Sequence, residues 1–596
     1  MSDVTDTNDV TVRCPHATEC AGCPAIDAPY DEQLRAKGER VDRALARFTA
    51  LSSVRREDVR GATPIEGYRT RVKLVVDGTK IGLFARTGDH VVVDIPGCRV
   101  MSETTASAVA LLRARLAKSA ALARALVAID LREVHTDEGP KLLLTLVLDE
   151  STQVATEAEA RRLHTLAREA GVPIATVATS TRPSRSPQLL GRGLRVVSGP
   201  DALDERLDAP RGRHVAIPAM PGGFVQAHHP QAAALRAELV AGLERRGVGI
   251  EGARVIDAYA GSGALGLGLA AAGARVLLIE SYAPAMDLAR QSARAQKLAA
   301  KAVAADASEA LTELARRGDQ PDVIVLNPPR RGVAPEVREA AAALAPKCIA
   351  YVSCEPDTLA RDLDHLACLG YATENLTPFD LIPLSREVES LVVLVPTTPP
   401  TLPVLARRDD LVALDRGAWV ARPDVDTLLR RARDASGFAD GVLLGPTDAS
   451  GLLLVARDAD AAARWSALEL EASWEVLVRG ILRPKGSVNR AVGGKDARTR
   501  YRRSAIVGGQ SRVTARCDSL ALEVPLTHLR ELGHPVLGDP RGHTPSNRHF
   551  VEQHGLDRPF LHLASITIGD FVATSALAGD LATVLARAGA RERLSD

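Results

Sequence analysis

Short apolar runs alternate with Ala-rich amphipathic segments between residues 211 and 397. Runs such as RVID (254–257), RVLLIE (275–280) and CIAYVS (348–353) have the length and composition of buried strands. The segments between them are long enough for helices that connect one parallel strand to the next. The pattern therefore predicts an α/β domain with a doubly wound sheet over residues 211–397.

The regions on either side of this domain show different patterns. Strand-like runs (RVKLVV, HVVVDI, KLLLTLVL) and an Ala/Leu-rich helical segment predict an α+β region over residues 1–210. Four prolines within PTTPPTLP (396–403) predict a linker at residues 398–403. Residues 404–596 are rich in short strands and turns, which predicts a third domain of the α+β class.

Composition places the chain among soluble globular proteins. It has 596 residues, 46% hydrophobic and 25% charged, with a formal net charge of +1, so nucleic-acid binding would depend on local basic patches. No apolar run is long enough to span a membrane, and the polar start MSDVTDTNDV is unlike a signal peptide. We therefore expect a cytoplasmic protein without a membrane partner, whose eight cysteines serve metal binding or catalysis.

One cysteine stands at a strand-to-helix junction. In YVSCEPDTLARDL (351–363), Cys354 follows an apolar strand and precedes a proline that opens a helix. Such a thiol is either a small core residue or a nucleophile whose thiolate the helix N-terminus would favour.

A Gly-rich turn follows the first strand of the α/β domain. The strand RVID ends in Asp257, AGSGALG makes the turn, and the next strand ends in Glu280, where an acid can accept both ribose hydroxyls. The spacing departs from that of a dinucleotide site and suits S-adenosylmethionine better, although an ordinary crossover without a ligand has the same outline. Two further strands end in polar residues, Asp306 and Asn327, and the latter precedes two rigid prolines.

A second group of cysteines lies near the start of the chain. Cys14, Cys20 and Cys23 have a C-x5-C-x2-C spacing, and Cys98 follows far along in DIPGC. Four thiolates suit a tetrahedral zinc site or a 4Fe–4S cluster, and the spacing alone does not distinguish them.

Over residues 14–397 the chain resembles the bacterial S-adenosylmethionine-dependent RNA 5-methyluridine (uracil-C5) methyltransferases. Nine motifs occur in the family's order: CPHATECAGC, YDEQL, YRTRVKL, VVVDIPGC, FVQAH, DAYAGSGALG, NPPRRG, YVSCEPDTLARDL and PLSREVES. The resemblance implies a class I (Rossmann-like) methyltransferase domain behind an iron–sulfur and RNA-binding N-terminal region. It implies Cys354 as nucleophile, Glu389 as base, a 4Fe–4S cluster on Cys14, Cys20, Cys23 and Cys98, and a methyl-donor site lined by Gln226, Asp257, Tyr259, Gly261, Glu280, Asp306 and Asn327.

The chain departs from the family pattern at three places. Asn327 stands where the family has Asp, Glu387 where it has His, and His228 where it has Asn. These departures concern substrate orientation and rate more than the type of reaction.

The C-terminal region resembles, more faintly, the large (RluA-like) pseudouridine synthases. GPTDASGLLLVARD, SWEVLVRG and ELGHPVLGDPR match three blocks of that family, but Pro446 occupies the place of its catalytic Asp and Trp474 that of its Tyr. Asp448 is present two positions late. The resemblance therefore implies a degenerate domain that binds or positions RNA; isomerase activity through Asp448 and a plain scaffold are the alternatives.

Two basic stretches are candidate RNA contacts. Arg182, Arg185, Arg192 and Arg195 occur without an intervening acid, and residues 479–503 contain nine Lys or Arg with a single acid. Solvated faces have the same composition as phosphate-binding ones, so both interpretations stay open.

The prediction for the whole chain is an RNA methyltransferase that modifies carbon-5 of a uridine. The Cys-rich head opens the chain without the small β-barrel that some family members carry in front of it. We therefore expect ribosomal RNA (23S) rather than transfer RNA as substrate, and a monomer. The alternatives are a bifunctional methyltransferase and pseudouridine synthase, methylation of an exocyclic amine, and a non-enzymatic RNA-binding assembly factor.

Overall fold

The computed structural model describes residues 10–88, 90–151, 156–183, 189–209, 212–418, 425–542 and 545–595. Up to residue 219 its elements are, in chain order, α1 Tyr30–Leu45, β1 Arg55–Arg56, β2 Arg71–Asp77, β3 Lys80–Phe84, β4 Val92–Asp94, α2 Glu103–Leu116, α3 Ala120–Ala125, β5 Leu126–Thr136, β6 Gly139–Asp149, α4 Thr156–Glu169, β7 Ile174–Arg182, β8 Arg192–Ser198, β9 Leu203–Ala209 and β10 Arg213–Ala219.

Most of these strands form one sheet with the order β4-β3-β2-β5-β6-β7-β8. The apolar runs that predicted strands are β2, β4 and β6, and helices α2 and α4 cover the sheet through Leu112 and Leu163. The Ala/Leu-rich segment does not form a single helix: it divides into α2 and α3 and then enters β5 at Leu126. The region is α+β, as the sequence predicts.

The central part contains α5 His229–Arg245, β11 Arg254–Ala258, α6 Ala264–Ala271, β12 Arg275–Glu280, α7 Ala283–Ala295, β13 Ala300–Ala304, α8 Ala307–Arg316, β14 Val323–Leu326, α9 Pro335–Ala343, β15 Cys348–Ser353, α10 Pro356–Cys368, β16 Tyr371–Ala372, β17 Asn375–Phe379 and β18 Glu389–Pro396. Strands β13-β12-β11-β14-β15 are parallel, and the antiparallel β18 lies between β15 and β17.

Helices cover both faces of this central sheet. Along β11, Val255 packs into the core beneath α5, α6 and α7, whereas the next residue, Ile256, packs into the core beneath α8, α9 and α10. Successive strand residues point to opposite faces, so a strand apolar at every position is buried on both. The α/β fold predicted for this part is confirmed. All carboxyl ends of its parallel strands lie along one edge, where a ligand site is expected.

Two elements from the N-terminal part belong to the central sheet. Strand β1 pairs in parallel with β17, and helix α1 packs against α10. A buried ion pair between Lys37 and Asp380 fixes α1 there, and Tyr30 donates a hydrogen bond of 2.8 Å to the same carboxylate. The hairpin of β9 and β10 also packs into the central core, so it spans the predicted boundary near residue 210.

The C-terminal part contains β19 Val404–Arg407, β20 Leu411–Arg416, α11 Val425–Ser436, β21 Val442–Leu444, β22 Ser450–Ala456, α12 Ala459–Ser466, β23 Leu470–Val478, β24 Lys485–Asn489, β25 Arg498–Val507, β26 Gln510–Cys517, α13 Glu523–Glu531, α14 Pro545–His554, β27 Leu561–Ile568, β28 Phe571–Thr574 and α15 Gly579–Ser595. Its sheet has the order β19-β20-β22-β27-β23-β26-β25-β24.

The C-terminal part docks on the helix that follows Cys354. Helix α15 contacts α10, and Arg361 of α10 donates a 2.9 Å hydrogen bond to the carbonyl oxygen of Gly555. The carboxylate of Asp557 lies 3.1 Å from Arg361 and 3.5 Å from Arg338 of α9. Since Asp362 is the other acid on these two buried arginines, Asp557 balances the second positive charge.

Candidate active site

Cys354 and Glu389 lie side by side at one edge of the central sheet. The antiparallel register pairs Ser353 of β15 with Ser390 of β18, so the residues one step beyond, Cys354 and Glu389, face each other. They interact electrostatically, since the Glu389 carboxylate is one of the groups that raise the pKa of the thiol. A residue in the loop before α10 and one thirty-five positions later therefore share one site.

The protonation of this pair differs from the sequence-based expectation. Burial is the main cause that raises the pKa of Cys354 to about 12, and Glu389 adds to it, while Arg330 opposes the rise. The helix N-terminus was expected to favour the thiolate, but these effects outweigh it. Burial also raises the pKa of Glu389 to about 7, against a hydrogen bond from Gln226 that lowers it.

The hydrogen bond from Gln226 connects the loop before α5 with the candidate base. Gln226 was predicted at the methyl-donor site, and the structure brings it to Glu389. His228, which departs from the family pattern two residues later, is fully buried and caps α5 by accepting the Gln231 amide at 3.3 Å. Its other ring nitrogen lies 2.9 Å from the Pro64 carbonyl oxygen. His228 therefore shapes the loop that presents Gln226.

Charged residues that the sequence did not single out surround the thiol. Arg330, from the loop after β14, pairs with Glu387 at 3.0 Å, and Cys354 is one of the groups that raise its pKa. Arg40 of α1 lies 2.7 Å from Glu355, the residue that precedes α10. Arg330 follows the Asn-Pro-Pro motif directly, so its place in that motif is the signal that would have found it.

The Gly-rich turn holds the first candidate ligand groups for a cofactor. Asp257, at the end of β11, is 1% exposed, and its Oδ2 atom accepts the Gly266 amide at 2.8 Å. Its Oδ1 atom has no hydrogen-bond partner in the described part of the chain. Burial, with a smaller effect of Glu280, raises the pKa of Asp257 to about 7. A buried, half-satisfied carboxyl group at the end of a parallel strand is an open position for a ligand donor.

Glu280 and Gly261 lie across the same turn. The Gly261 amide donates to Glu280 Oε2 at 3.1 Å, and Gly261 has a φ of +58°, which favours glycine. Tyr259 also has a positive φ, of +64°. Burial, followed by Asp306, raises the pKa of its phenol to about 12. The turn thus brings three predicted donor-site residues together with Asp257.

The two remaining candidates occupy the ends of neighbouring strands. Asp306 is exposed and caps α8, where its Oδ1 atom accepts the Ser308 amide at 2.8 Å. Asn327 directly follows β14 and is half-buried, and its backbone N–H donates a hydrogen bond of 3.4 Å to the Ala258 carbonyl oxygen. Both therefore lie at the carboxyl edge of the sheet, and Asp306 has a structural role as a helix cap besides any contact with a ligand.

The four N-terminal cysteines line one cavity of about 190 Å³, together with Arg69, Arg86 and Arg99. Burial, and the proximity of the other thiols, raise the pKa values of Cys20, Cys23 and Cys98. No group of three or more His, Cys, Asp or Glu side chains is arranged to hold a metal ion within the described ranges. The structure therefore gives the predicted 4Fe–4S cluster no metal-ligand geometry, although it brings the four thiols to one place.

The C-terminal part carries no carboxylate at the position of a pseudouridine synthase nucleophile. Pro446 is half-buried there, while Asp448 is exposed and accepts a hydrogen bond from the Thr447 hydroxyl at 3.2 Å. Trp474 is fully buried in the core, and its indole nitrogen has no hydrogen-bond partner among the described residues. Ser450, next to this segment, is buried between His562 at 3.0 Å and Arg558 at 2.7 Å.

The two predicted basic stretches differ in exposure. Arg182 is buried, Arg192 and Arg195 are exposed on β8, and Arg185 lies outside the described residues. In the second stretch Arg498, Arg500 and Arg502 are exposed, whereas Tyr501 is 8% exposed. The tyrosine is therefore not available for stacking on a base.

Comparison with known proteins decides the family. An uncharacterized RNA methyltransferase of Geobacter sulfurreducens is 31% identical over 404 residues, which are 65% of this chain and 77% of that protein. The chain belongs to the RNA methyltransferase family. A second relative of this methyltransferase, an uncharacterized RNA methyltransferase of Gloeobacter violaceus, is 30% identical and covers 64% of this chain and 82% of its own length.

Two further comparisons concern the central part of the methyltransferase. The family model described as Conserved hypothetical protein 95 matches residues 212–374. The crystal structure of Pyrococcus abyssi tRNA (uracil-54, C5)-methyltransferase in complex with S-adenosyl-L-homocysteine is 23% identical, with a TM-score of 0.48, over 63% of this chain and 86% of that one.

Within the described residues, the methyltransferase has no helix with the length and apolarity needed to cross a membrane.

Proposed function

We propose that the chain transfers a methyl group from S-adenosylmethionine to carbon-5 of a uridine in RNA, through a covalent adduct with Cys354. The observation that carries this proposal is the proximity of Cys354 to Glu389, which lie one step beyond the paired residues Ser353 and Ser390 at the edge of the sheet and interact electrostatically. Carbon-5 of uracil is a poor nucleophile, and a thiol beside a carboxylate supplies the two groups needed to activate it and to restore the ring.

The reaction follows from these two side chains. The Cys354 thiolate adds to carbon-6 of the uracil, which forms an S–C6 bond and moves the C5–C6 π electron pair into an enolate. When bound, S-adenosylmethionine supplies a methyl group on a sulfonium, which carbon-5 takes as the methyl–sulfur bond breaks. Glu389 then removes the carbon-5 proton, the C5–C6 double bond re-forms, and the S–C6 bond breaks to release the Cys354 thiolate.

The neighbouring charges tune the pair. Arg330 lowers the pKa of both Cys354 and Glu389, and thus favours the two ionised forms that the reaction uses. Gln226 donates to the Glu389 carboxylate and holds it in place. Glu387 pairs with Arg330 at 3.0 Å and thereby fixes the arginine near the thiol. This ion pair gives the family departure at position 387 a role in positioning.

The donor site is proposed at the carboxyl edge of the central sheet. Glu280 would accept the ribose hydroxyls, Asp306 would contact the adenine, and Asp257 would use its unpartnered Oδ1 atom. Gly261 and Tyr259 shape the turn, and Asn327 and Gln226 would lie between the methyl donor and the uracil.

The four N-terminal thiols are proposed to hold a 4Fe–4S cluster. Their common cavity supports this, because each iron of such a cluster takes one thiolate. The cluster would tie the Cys-rich head to the segment after β4, which carries Cys98; Cys20 already forms a bridge with Ala85, directly after β3. It takes no part in the methyl transfer.

Substrate, cellular location and the C-terminal domain complete the proposal. We propose ribosomal RNA (23S) as the substrate, a monomeric cytoplasmic enzyme, and a C-terminal domain over residues 404–596 that binds RNA without catalysis. Pro446 in place of a nucleophile and the buried Trp474 support this absence of isomerase activity.

Nucleoside analysis of RNA tests the proposal. RNA from cells that lack the gene should lose one 5-methyluridine, and the wild-type gene should restore it while Cys354→Ala should not. An unchanged content of 5-methyluridine together with the loss of a methylated adenine, guanine or cytosine would contradict carbon-5 chemistry.

A further inference from the structure

The outer strands of the C-terminal sheet expose a row of arginines. Along β25, Arg498, Arg500 and Arg502 are exposed, and the residues between them, Thr499 and Tyr501, are buried. Since side chains alternate between the faces of a strand, the three arginines lie on one face, about 7 Å from one to the next. A run of charge in the sequence thus becomes an ordered row on one surface.

The neighbouring strands place a cation opposite two residues of this row. Lys485 of β24 is the direct cross-strand partner of Arg502, and Arg516 of β26 is that of Arg500. We call these five exposed residues the basic face: Lys485, Arg498, Arg500, Arg502 and Arg516.

Two like-charge pairs in direct opposition destabilise a sheet. Only Arg516 in the basic face has an acid within ion-pair distance among the described residues, Glu471 at 3.7 Å, and that pair is exposed and screened by salt. Arg512, at the border, is satisfied by Glu475 at 3.0 Å. Arg498, Arg500 and Arg516 line one cavity with the acids Glu469, Glu471 and Asp518, so the positive charge is compensated in part at that end of the basic face. Lys485 and Arg502, at the other end, have no acid within ion-pair distance among the described residues.

We infer that the basic face binds the phosphate backbone of RNA. Guanidinium groups match phosphate geometry, and a row of them suits the repeating charge of a nucleic-acid strand better than the scattered acids of a protein surface. The adjacent Tyr501 is buried, so no aromatic ring is offered for base stacking and the contact does not depend on sequence. This inference rests on the proposed function in one respect, namely that the substrate is RNA.

The test measures binding of the full chain to a labelled single-stranded RNA at several KCl concentrations, without S-adenosylmethionine. The variant Arg500→Gln/Arg502→Gln removes two charges from the basic face. The control Arg457→Gln/Arg464→Gln removes two exposed charges of the same domain that are paired with Asp458 and Asp410. Because the basic-face substitutions relieve like-charge pairs, the melting temperature of the variant should be unchanged or higher, which verifies folding.

Each lost phosphate contact should reduce the slope of log K against log salt by about 0.7 and weaken binding about fivefold at about 0.1 M salt. The basic-face variant should therefore bind about 25-fold more weakly, and the control should bind like the wild type. Equal effects in the two variants, or an unchanged slope in the first, would overturn the inference and point to an acidic protein as occupant. If the first variant loses RNA binding as expected but the wild-type chain makes no 5-methyluridine, the proposed function is contradicted and the inference about the basic face is not.

Discussion

At the residue scale, the pKa of the Cys354 thiol depends on two neighbouring side chains of opposite charge. Burial and then Glu389 raise its pKa, Arg330 lowers it, and the net result is a pKa of about 12. Replacing Glu389 by Gln removes the negative charge, so the pKa should fall and alkylation by iodoacetamide at pH 8 should become several-fold faster.

The matched variant Arg330→Gln should have the opposite effect, because it removes the cation that favours the thiolate. Peptide mass spectrometry resolves alkylation at Cys354 from that at the other thiols. Equal rates in both variants and the wild type would show that the two charges do not act on this sulfur.

A second prediction at this scale concerns the pH dependence of methyl transfer. The proposed base Glu389 has a pKa of about 7, and only its ionised form accepts a proton. The Cys354 thiolate, with a pKa of about 12, keeps forming above that pH, so the slope of log kcat/KM against pH should fall from about two to about one near pH 7. Gln226 lowers this pKa by hydrogen bonding to the ionised form. The substitution Gln226→Ala should therefore move the inflection to higher pH; a shift to lower pH would contradict the assignment.

The sequence indicated the two candidate catalytic residues but not the residues that surround them. Cys354 and Glu389 were found from the resemblance, and the register of β15 with β18 brings them together. The ion pair of Arg330 with Glu387 and the contact of His228 with the Pro64 carbonyl oxygen were not predicted, because they join segments far apart in the sequence.

At the scale of single elements, helix α6 allows a direct test of the Gly-rich turn. A Cβ atom at Gly266 would overlap the Leu278 side chain and come within 2.7 Å of Asp257 Oδ2. The substitution Gly266→Ala should therefore displace Asp257 and abolish binding of S-adenosylmethionine, as measured by calorimetry.

Gly268 in the same helix is the matched control. A Cβ atom there meets nothing within 4 Å, so Gly268→Ala should keep the binding and stabilise the helix by up to about 1 kcal/mol. Full binding by Gly266→Ala would show that the turn does not hold the donor.

The docking of the C-terminal part on α9 and α10 gives the second prediction for elements. Asp557→Asn removes the carboxylate that balances Arg338 and Arg361, and should lower the free energy of unfolding by about 2 kcal/mol. The control Asp570→Asn breaks an exposed pair with Arg408 and should cost less than about 0.5 kcal/mol. Denaturant unfolding measures both, and equal costs would contradict a buried charge balance.

The pattern of apolar residues correctly predicted the buried strands of the central sheet. The runs RVID, RVLLIE and CIAYVS became β11, β12 and β15. The Ala/Leu-rich segment was misjudged, because its last residues enter β5 and only pairing with β2 and β6 fixes them as a strand. The addition of β1 to the far edge of the central sheet depends on a partner over three hundred residues away and has no local signal.

At the scale of the whole molecule, the C-terminal part packs against the central part more closely than the sequence suggests. The Pro-rich segment predicted a linker at residues 398–403, and within it Leu402 is buried among residues of the C-terminal part, with Cys368 of α10 packed against the same cluster. The C-terminal part is therefore placed against the helix that begins next to the candidate nucleophile, and it presents the basic face on its outer strands.

The central claim is a covalent bond between Cys354 and carbon-6 of a uracil, and RNA containing 5-fluorouridine tests it most directly. In 5-fluorouridine a fluorine replaces the hydrogen at carbon-5 that the base would remove, so the covalent adduct cannot be resolved and stalls after methyl transfer. The account predicts a stable complex of one chain and one RNA that carries the methyl group, forms only with S-adenosylmethionine, and is absent in Cys354→Ala. Methylated RNA without any covalent complex, or a complex that still forms in Cys354→Ala, would contradict it.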